Sequence, residues 1–172
     1  MSKPTNKKIV CVSGGFDPVH IGHLRMIQAA AQYGNVVAIV NSDDWLMRKK
    51  GYIFMPFEER CEILKGFNCV DNTTSVEDTD GTVCEALARI KPDYFANGGD
   101  RKTDNTPEMA VCEQNSIELL WNMGGGKIQS SSDLVSSSGM VRETSVQIDG
   151  IDLKPAKIQV IAAGDVSKSG DY

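Results

Sequence analysis

Ile9-Val10-Cys11-Val12-Ser13-Gly14-Gly15-Phe16-Asp17-Pro18-Val19-His20-Ile21-Gly22-His23-Leu24 is the stretch that decides the fold. Its first four residues are apolar without interruption, as in a parallel strand covered on both faces. The turn Gly14 to Pro18 ends that strand. Ile21, Leu24, Ile27 and Ala31 then place an apolar stripe on one face of a helix predicted from about Ile21 to Tyr33, with Gly34 at its C-cap. Val36 to Val40 is a second apolar run. Strand, helix and strand in this order form a β-α-β unit, normally right-handed with parallel strands.

The pattern continues along the chain. Pro56 suits a helix start, and Phe57, Cys61, Leu64 and Phe67 follow at helical spacing. Thr73 to Val76 reads as a short strand. Thr82 and Glu85 have capping-box spacing ahead of Ala86, Leu87 and Ile90, and Pro92 closes that helix. Tyr94 to Ala96 reads as a strand stopped by Asn97-Gly98-Gly99-Asp100, and Ile117 to Trp121 as the fifth strand. The expected fold is therefore α/β, a Rossmann-like, doubly wound, parallel five-stranded sheet. In such sheets ligands bind at the carboxyl ends of the strands, beside the switch point. Both Gly-rich turns, after Ser13 and after Ala96, fall there. The expected domain covers residues 1–135. Residues 136–172 form an extension, read as a hairpin or docking arm with a disordered end from Asp165.

Composition limits the function classes. A net charge of −5 over 172 residues gives no general reason to bind nucleic acid or a membrane surface. The polar start, Met1 to Lys8, does not read as a signal peptide, and no apolar run approaches the ~18 residues of a membrane span. The cysteines Cys11, Cys61, Cys69, Cys84 and Cys112 form no C-x-x-C pair and no zinc spacing. They read as reduced thiols of a cytoplasmic protein. An acidic protein that handles phosphates must gather its cations locally.

The chain has two histidines, His20 and His23, both at the start of the first predicted helix. A helix N-terminus favours phosphate through its unpaired N–H groups and partial positive charge. Two imidazoles there add side-chain donors. Gly22 between them, with Gly14 and Gly15 before them, leaves space for a phosphate or base near the backbone. Packing alone accounts for one such histidine; both histidines of the chain on one turn point to phosphate binding. Gly124-Gly125-Gly126-Lys127 is not a P-loop: Ile128 follows the lysine, and Trp121 stands where the first glycine belongs.

Gly14 to His23 resembles the H-x-G-H signature of the cytidylyltransferase-like nucleotidyltransferase superfamily. The resemblance runs to about Val135 through Asn41-Ser42-Asp43, Lys49-Lys50-Gly51, Pro56 to Leu64 with Arg60, Cys69-Val70-Asp71, Lys91-Pro92-Asp93 and Gly98-Gly99-Asp100. The series is similar to the adenylyltransferase domain of bacterial heptose-phosphate enzymes and to glycerol-3-phosphate cytidylyltransferase. Asn68 stands where the latter carry arginine, and Asn97 where the former usually carry lysine.

The resemblance implies attack of an acceptor phosphate on the α-phosphorus of an NTP, with Mg²⁺ and release of pyrophosphate. It assigns His20, His23 and Lys50 to catalysis, with Lys49 the rival of Lys50. Gly14, Gly15, Phe16, Asp17, Gly22, Asn97, Gly98, Gly99, Asp100, Ser130, Ser131 and Ser132 fall to the nucleotide, and Asn41, Asp43 and Arg60 to the acceptor. Asp17 is expected to orient the motif or help hold Mg²⁺, and Arg60 either matches the family position or is a surface residue. ATP and a sugar phosphate are the favoured substrates. A CTP-dependent cytidylyltransferase and a non-catalytic nucleotide-binding subunit are the alternatives, and a homo-oligomer is expected.

Overall fold

A computed structural model describes residues 7–99 and 106–139, together with the backbone of four short strands between 141 and 159. Elements follow the order β1 (Ile9–Gly14), α1 (Ile21–Ala30), β2 (Asn35–Val40), α2 (Asp43–Lys50), α3 (Phe57–Lys65), β3 (Asn72–Thr74), α4 (Cys84–Ile90), β4 (Tyr94–Gly98), α5 (Pro107–Gln114), β5 (Glu118–Met123) and α6 (Ser131–Ser137). The five strands form one sheet in the order β3-β2-β1-β4-β5. Every pairing is parallel, with Ile9 opposite Asn35 and Val10 opposite Tyr94. The chain leaves β1 toward β2 on one side and returns to β4 on the other, so the switch point lies between β1 and β4.

Strand periodicity divides the core between the two faces of the sheet. Val10, Val12, Val36, Ala38 and Val40 pack with Met26, Ile27 and Ala30 of α1 and Cys61 and Leu64 of α3. Cys11, Ile39 and Phe95 point the other way, to Ala86 and Leu87 of α4 and Cys112 of α5. All five cysteines are unpaired. Burial pushes the thiols of Cys11 and Cys112 up to about 12 and about 11, so they behave as inert core groups.

Two sequence motifs hold the strand starts, at the sheet end opposite the Gly-rich turns. Asp71 accepts from the Val36 N–H at 2.7 Å, and its own N–H returns to the Val36 carbonyl at 2.9 Å. Asp93 does the same for Ile9, at 2.8 and 2.9 Å. Cys69-Val70-Asp71 and Lys91-Pro92-Asp93 are thus structural.

Four expectations change. Helix α1 stops at Ala30 with Ala31 as C-cap, so Gly34 is not its cap. A Cβ on Gly34 would collide with the Lys8 carbonyl oxygen, so this glycine lets β2 begin against β1. The Thr82–Glu85 capping box does not form. Val83 is the N-cap, Thr82 bonds Asp80, and Glu85 turns to Glu77 N–H and Arg89. Helices α2 and α5 were not expected. Among apolar residues α2 buries only Leu46 and α5 only Cys112, too little for a visible stripe.

The chain divides into two compact units, Met1–Ser131 and Ser132–Tyr172. In the second, β6 (Val141–Thr144) pairs antiparallel with β9 (Ala156–Gln159), and β7 (Gln147–Ile148) with β8 (Ile151–Asp152). Both pairs fall within the extension expected from residue 136; residues 165–172 lie outside the described residues. Among the described residues no helix is long and apolar enough to cross a membrane.

Gly34→Ala is expected to destabilise the protein by about 1–3 kcal/mol, because backbone must move to admit one methyl. Urea unfolding measures it; an unchanged midpoint would remove the close approach as the reason for this glycine.

Candidate active site

The turn after β1 is built around its own histidines. His20 is the N-cap of α1, in an extended conformation. Its Nδ1 accepts from the Gly22 N–H at 3.1 Å, and the His20 N–H donates to Nδ1 of His23 at 3.2 Å. This is a capping box made with imidazoles. The rings stack, with centroids 3.8 Å apart and planes 23° from parallel. Because backbone N–H groups occupy both Nδ1 atoms, each neutral ring carries its proton on Nε2. The pair therefore offers two Nε2–H donors side by side.

Burial holds both rings neutral. It pushes His23 down to about 3, with the charges of His20 and Lys50 adding. His20 is lowered by burial, then by Lys50 and Lys127. Gly22 has a reason other than space for a ligand: a Cβ there would lie 3.0 Å from Cε1 of His20. The glycine lets the His20 ring fold back over the helix start. The left-handed residue of the turn is Phe16 (φ 52), not Gly14 or Gly15. Its buried ring meets His23 edge-on at 4.9 Å. Gly14 faces the Phe16 ring, and Gly15 lies under Leu46 and Trp45 of α2.

A second layer ties this turn to its neighbours. Asp17 is fully buried and accepts from the N–H groups of Phe54 and Met55 at 2.7 and 2.6 Å. Burial raises its proton affinity against those two bonds and the nearby charges of Arg60 and Lys50. Arg60, expected at the acceptor or on the surface, is buried. Its Nε donates to Met55 O at 2.9 Å, Nη1 to Gly15 O and Asn41 O at 2.7 and 2.8 Å, and Nη2 to Asp43 Oδ1 at 2.6 Å. It acts through the loops it joins.

Asn41 is likewise buried. Its amide donates to Asp78 Oδ2 at 3.1 Å, and the Ser42 N–H and hydroxyl donate to the same carboxylate at 2.8 and 2.6 Å. Sequence reasoning missed Asp78; its place in the polar run Glu77-Asp78-Thr79-Asp80 marks a turn, not a buried carboxylate. Ser42 caps α2: its Oγ accepts from Trp45 N–H at 3.0 Å, with Asp43 and Asp44 following and Arg48, Lys49 and Lys50 at the far end.

Lys50 ends α2, just before Gly51 in the left-handed conformation (φ 79). Lys50 is half-buried and Lys49 exposed. Burial lowers the proton affinity of Lys50, Asp17 opposes this, and Arg60 adds to it. The fold thus brings Lys50 beside Asp17 and the histidine pair.

The Gly-rich segments after β4 and β5 meet each other. Asn97 is buried in β4 and Gly98 is its last residue. A Cβ on Gly99 would collide with the Gly125 carbonyl oxygen. Asp100 lies outside the described residues. Ser131 donates its hydroxyl to Pro18 O at 2.8 Å, fastening the start of α6 to the first turn. Ser130 N–H donates to Gln129 Oε1 at 3.0 Å, and Ser132 belongs to the second unit. Among the described residues no group of three or more His, Cys, Asp or Glu could hold a metal ion.

The sequence model of the cytidylyltransferase-like family matches residues 11–159, past the limit at Val135 that the motifs indicated. The bifunctional protein HldE of Pelobacter propionicus is 34% identical over 126 residues, covering 72% of this chain and 24% of that protein. The chain thus spans about a quarter of the length of such bifunctional relatives. The D-beta-D-heptose 1-phosphate adenylyltransferase of Bordetella bronchiseptica is 32% identical over 111 residues, covering 62% of this chain and 67% of that protein. The crystal structure of a lipopolysaccharide core biosynthesis protein from Thermoplasma volcanium superposes with a TM-score of 0.56 at 21% identity, over 67% of this chain and 95% of that one. This last likeness is one of fold.

Two outcomes are expected from the geometry. Arg60→Lys keeps a charge but cannot reach four acceptors, so it lowers stability by about 3–5 kcal/mol in urea unfolding. A loss below ~1 kcal/mol, the scale of a surface ion pair, would exclude the brace. In nitrogen-resolved NMR of the ligand-free protein, His23 stays an Nε2–H tautomer and does not titrate from pH about 5 to about 8. Its folded value near 3 lies below the ordinary 6.5, so the unfolded chain takes up the proton first. Its contribution to stability is complete above 6.5 and is lost as pH falls toward 3.

Proposed function

The chain belongs to the cytidylyltransferase-like family, and from that premise we propose that it is a nucleotidyltransferase joining the nucleoside monophosphate of an NTP, ATP by preference, to a phosphorylated sugar. The observation that carries the reading is the stacked His20–His23 pair at the N-terminus of α1, with Lys50 beside it. The Bordetella relative, named for heptose 1-phosphate adenylylation, supports ATP and a sugar 1-phosphate. The five unpaired cysteines fit a reducing, cytoplasmic compartment.

An acceptor phosphate oxygen attacks the α-phosphorus, the bond from that phosphorus to the bridging oxygen breaks, and pyrophosphate leaves with the electron pair. The nucleophile is already ionised at neutral pH, so no general base is required. Catalysis is then positioning and charge neutralisation. His20 and His23 donate through Nε2 to phosphate oxygens as charge builds, and they do so as neutral rings. Lys50 supplies mobile positive charge over the polyphosphate. Asp17 and Arg60 hold Lys50 and the turn in register without touching substrate. Asp17 is a poor metal ligand, since both carboxylate oxygens accept backbone N–H bonds inside the protein. Mg²⁺ would enter with the nucleotide substrate and would supply neutralising charge to its phosphates.

The test is a pyrophosphate-release screen of ATP and CTP against phosphorylated sugars and polyols. ATP with a sugar 1-phosphate is expected to release pyrophosphate, and chelation of divalent cations to stop it. His20→Ala and His23→Ala are each expected to lower turnover by on the order of 10²–10³. Orthophosphate as the direct product, or normal rates in both variants, would sink the reading. Release with CTP alone would reassign the base.

A further inference from the structure

We propose that Lys127 is a second polyphosphate-binding cation, carried over the H-x-G-H turn by a strap running from Gly124 to Ser131. The proposal rests on the nucleotidyl-transfer reading and adds a residue to it. The segment was recognisable in the sequence only as a failed P-loop, and its geometry is of another kind.

The strap is fixed at three points along α1. At its start, Asn122, Gly124 and Gly125 all take left-handed φ values of 56, 82 and 85, and Gly125 N–H returns to Asn122 O at 3.4 Å. This tight turn lays Gly124 directly on the helix backbone: a Cβ there would lie 2.6 Å from Met26 N and 2.9 Å from Arg25 C. Glycine is therefore required twice over, for its φ and for the close approach. Farther on, Ile128 Cγ1 comes within 3.9 Å of where a Gly22 Cβ would stand. At the end, the Ser131 hydroxyl donates to Pro18 O at 2.8 Å. The chain thus descends from the second turn of α1, past its first turn, to the residues that precede its cap.

Lys127 is the residue just before Ile128. Gly22, beside Ile128, is the residue whose N–H bonds the His20 ring. The strap therefore releases the Lys127 side chain next to His20. Its charge opposes protonation of His20, as does that of Lys50. Lys127 is exposed, and among the described residues no carboxylate pairs with it. A cation without an acidic partner among the described residues, on a protein of net charge −5 and beside two phosphate donors, is suited to an incoming polyanion.

Calorimetry with three probes tests the proposal on the full chain: Mg-ATP, inorganic tripolyphosphate and adenosine. Lys127→Ala is expected to weaken ATP and tripolyphosphate about tenfold, the lower end for a charge-assisted contact. It is expected to leave adenosine affinity and the melting temperature unchanged. Lys127→Arg is expected to recover most of the loss. In Lys127→Gln, NMR is expected to show His20 titrating at higher pH than in the wild type. Equal tripolyphosphate affinity in wild type and Lys127→Ala would overturn the role of Lys127, even with wild-type pyrophosphate release intact. An equal loss for adenosine would overturn it too, as a structural effect. A wild type that binds neither polyphosphate would overturn the nucleotidyl-transfer reading itself, and this proposal with it.

Discussion

A guanidinium removed from water is stable only where its N–H groups and its charge are met by protein, because desolvation of an unpaired ion costs several kcal/mol. Arg60 meets that condition with three carbonyls and one carboxylate drawn from four segments: Gly15 after β1, Asn41 after β2, Asp43 in α2 and Met55 in the loop before α3. Asp17 closes the same network from the other side through Phe54 and Met55. The loops that end the central strands are therefore not independent. If one moves, a buried charge loses its partner. This coupling holds α2, at whose end Lys50 stands, to the loops around the first turn.

The histidine pair ties the start of α1 to the protonation of its own side chains. Each Nδ1 is spent on a backbone N–H that the helix start would otherwise leave unpaired. That bond fixes the tautomer and leaves the remaining proton on Nε2. Neutrality follows from burial and from the lysines nearby. A neutral donor pair with separate cations keeps its hydrogen bonds unchanged over a wide range of pH, which a pair of charged imidazoles in contact would not.

Glycine enters the site for backbone proximity more than for ligand access. Gly22 accommodates the ring of His20, Gly99 the carbonyl of Gly125, and Gly124 the backbone of α1. These contacts let the turns after β1, β4 and β5 close over one another at the carboxyl end of the sheet. Side chains at any of the three would hold the turns apart.

The five strands and their succession along the chain, the β-α-β start and the placing of both histidines on one helix turn were legible in the sequence because each depends on local periodicity and turn chemistry. What the sequence left open are relations across distance. Arg60 reads as one charged residue of an amphipathic helix; only the packing of α3 under three loops buries it. Asp78 reads as part of an acidic turn until Asn41 and Ser42 converge on it from 37 and 36 residues away. Lys49 and Lys50 are equivalent in the sequence and separate only when the end of α2 is turned against Asp17. Lys127 follows a glycine run with no motif, and acquires a place because that run lies on α1. Residue types and their spacing determined the fold and the chemistry of its first turn. Tertiary structure decided which charges stand in that chemistry and which support it, because burial and partnership belong to no single segment.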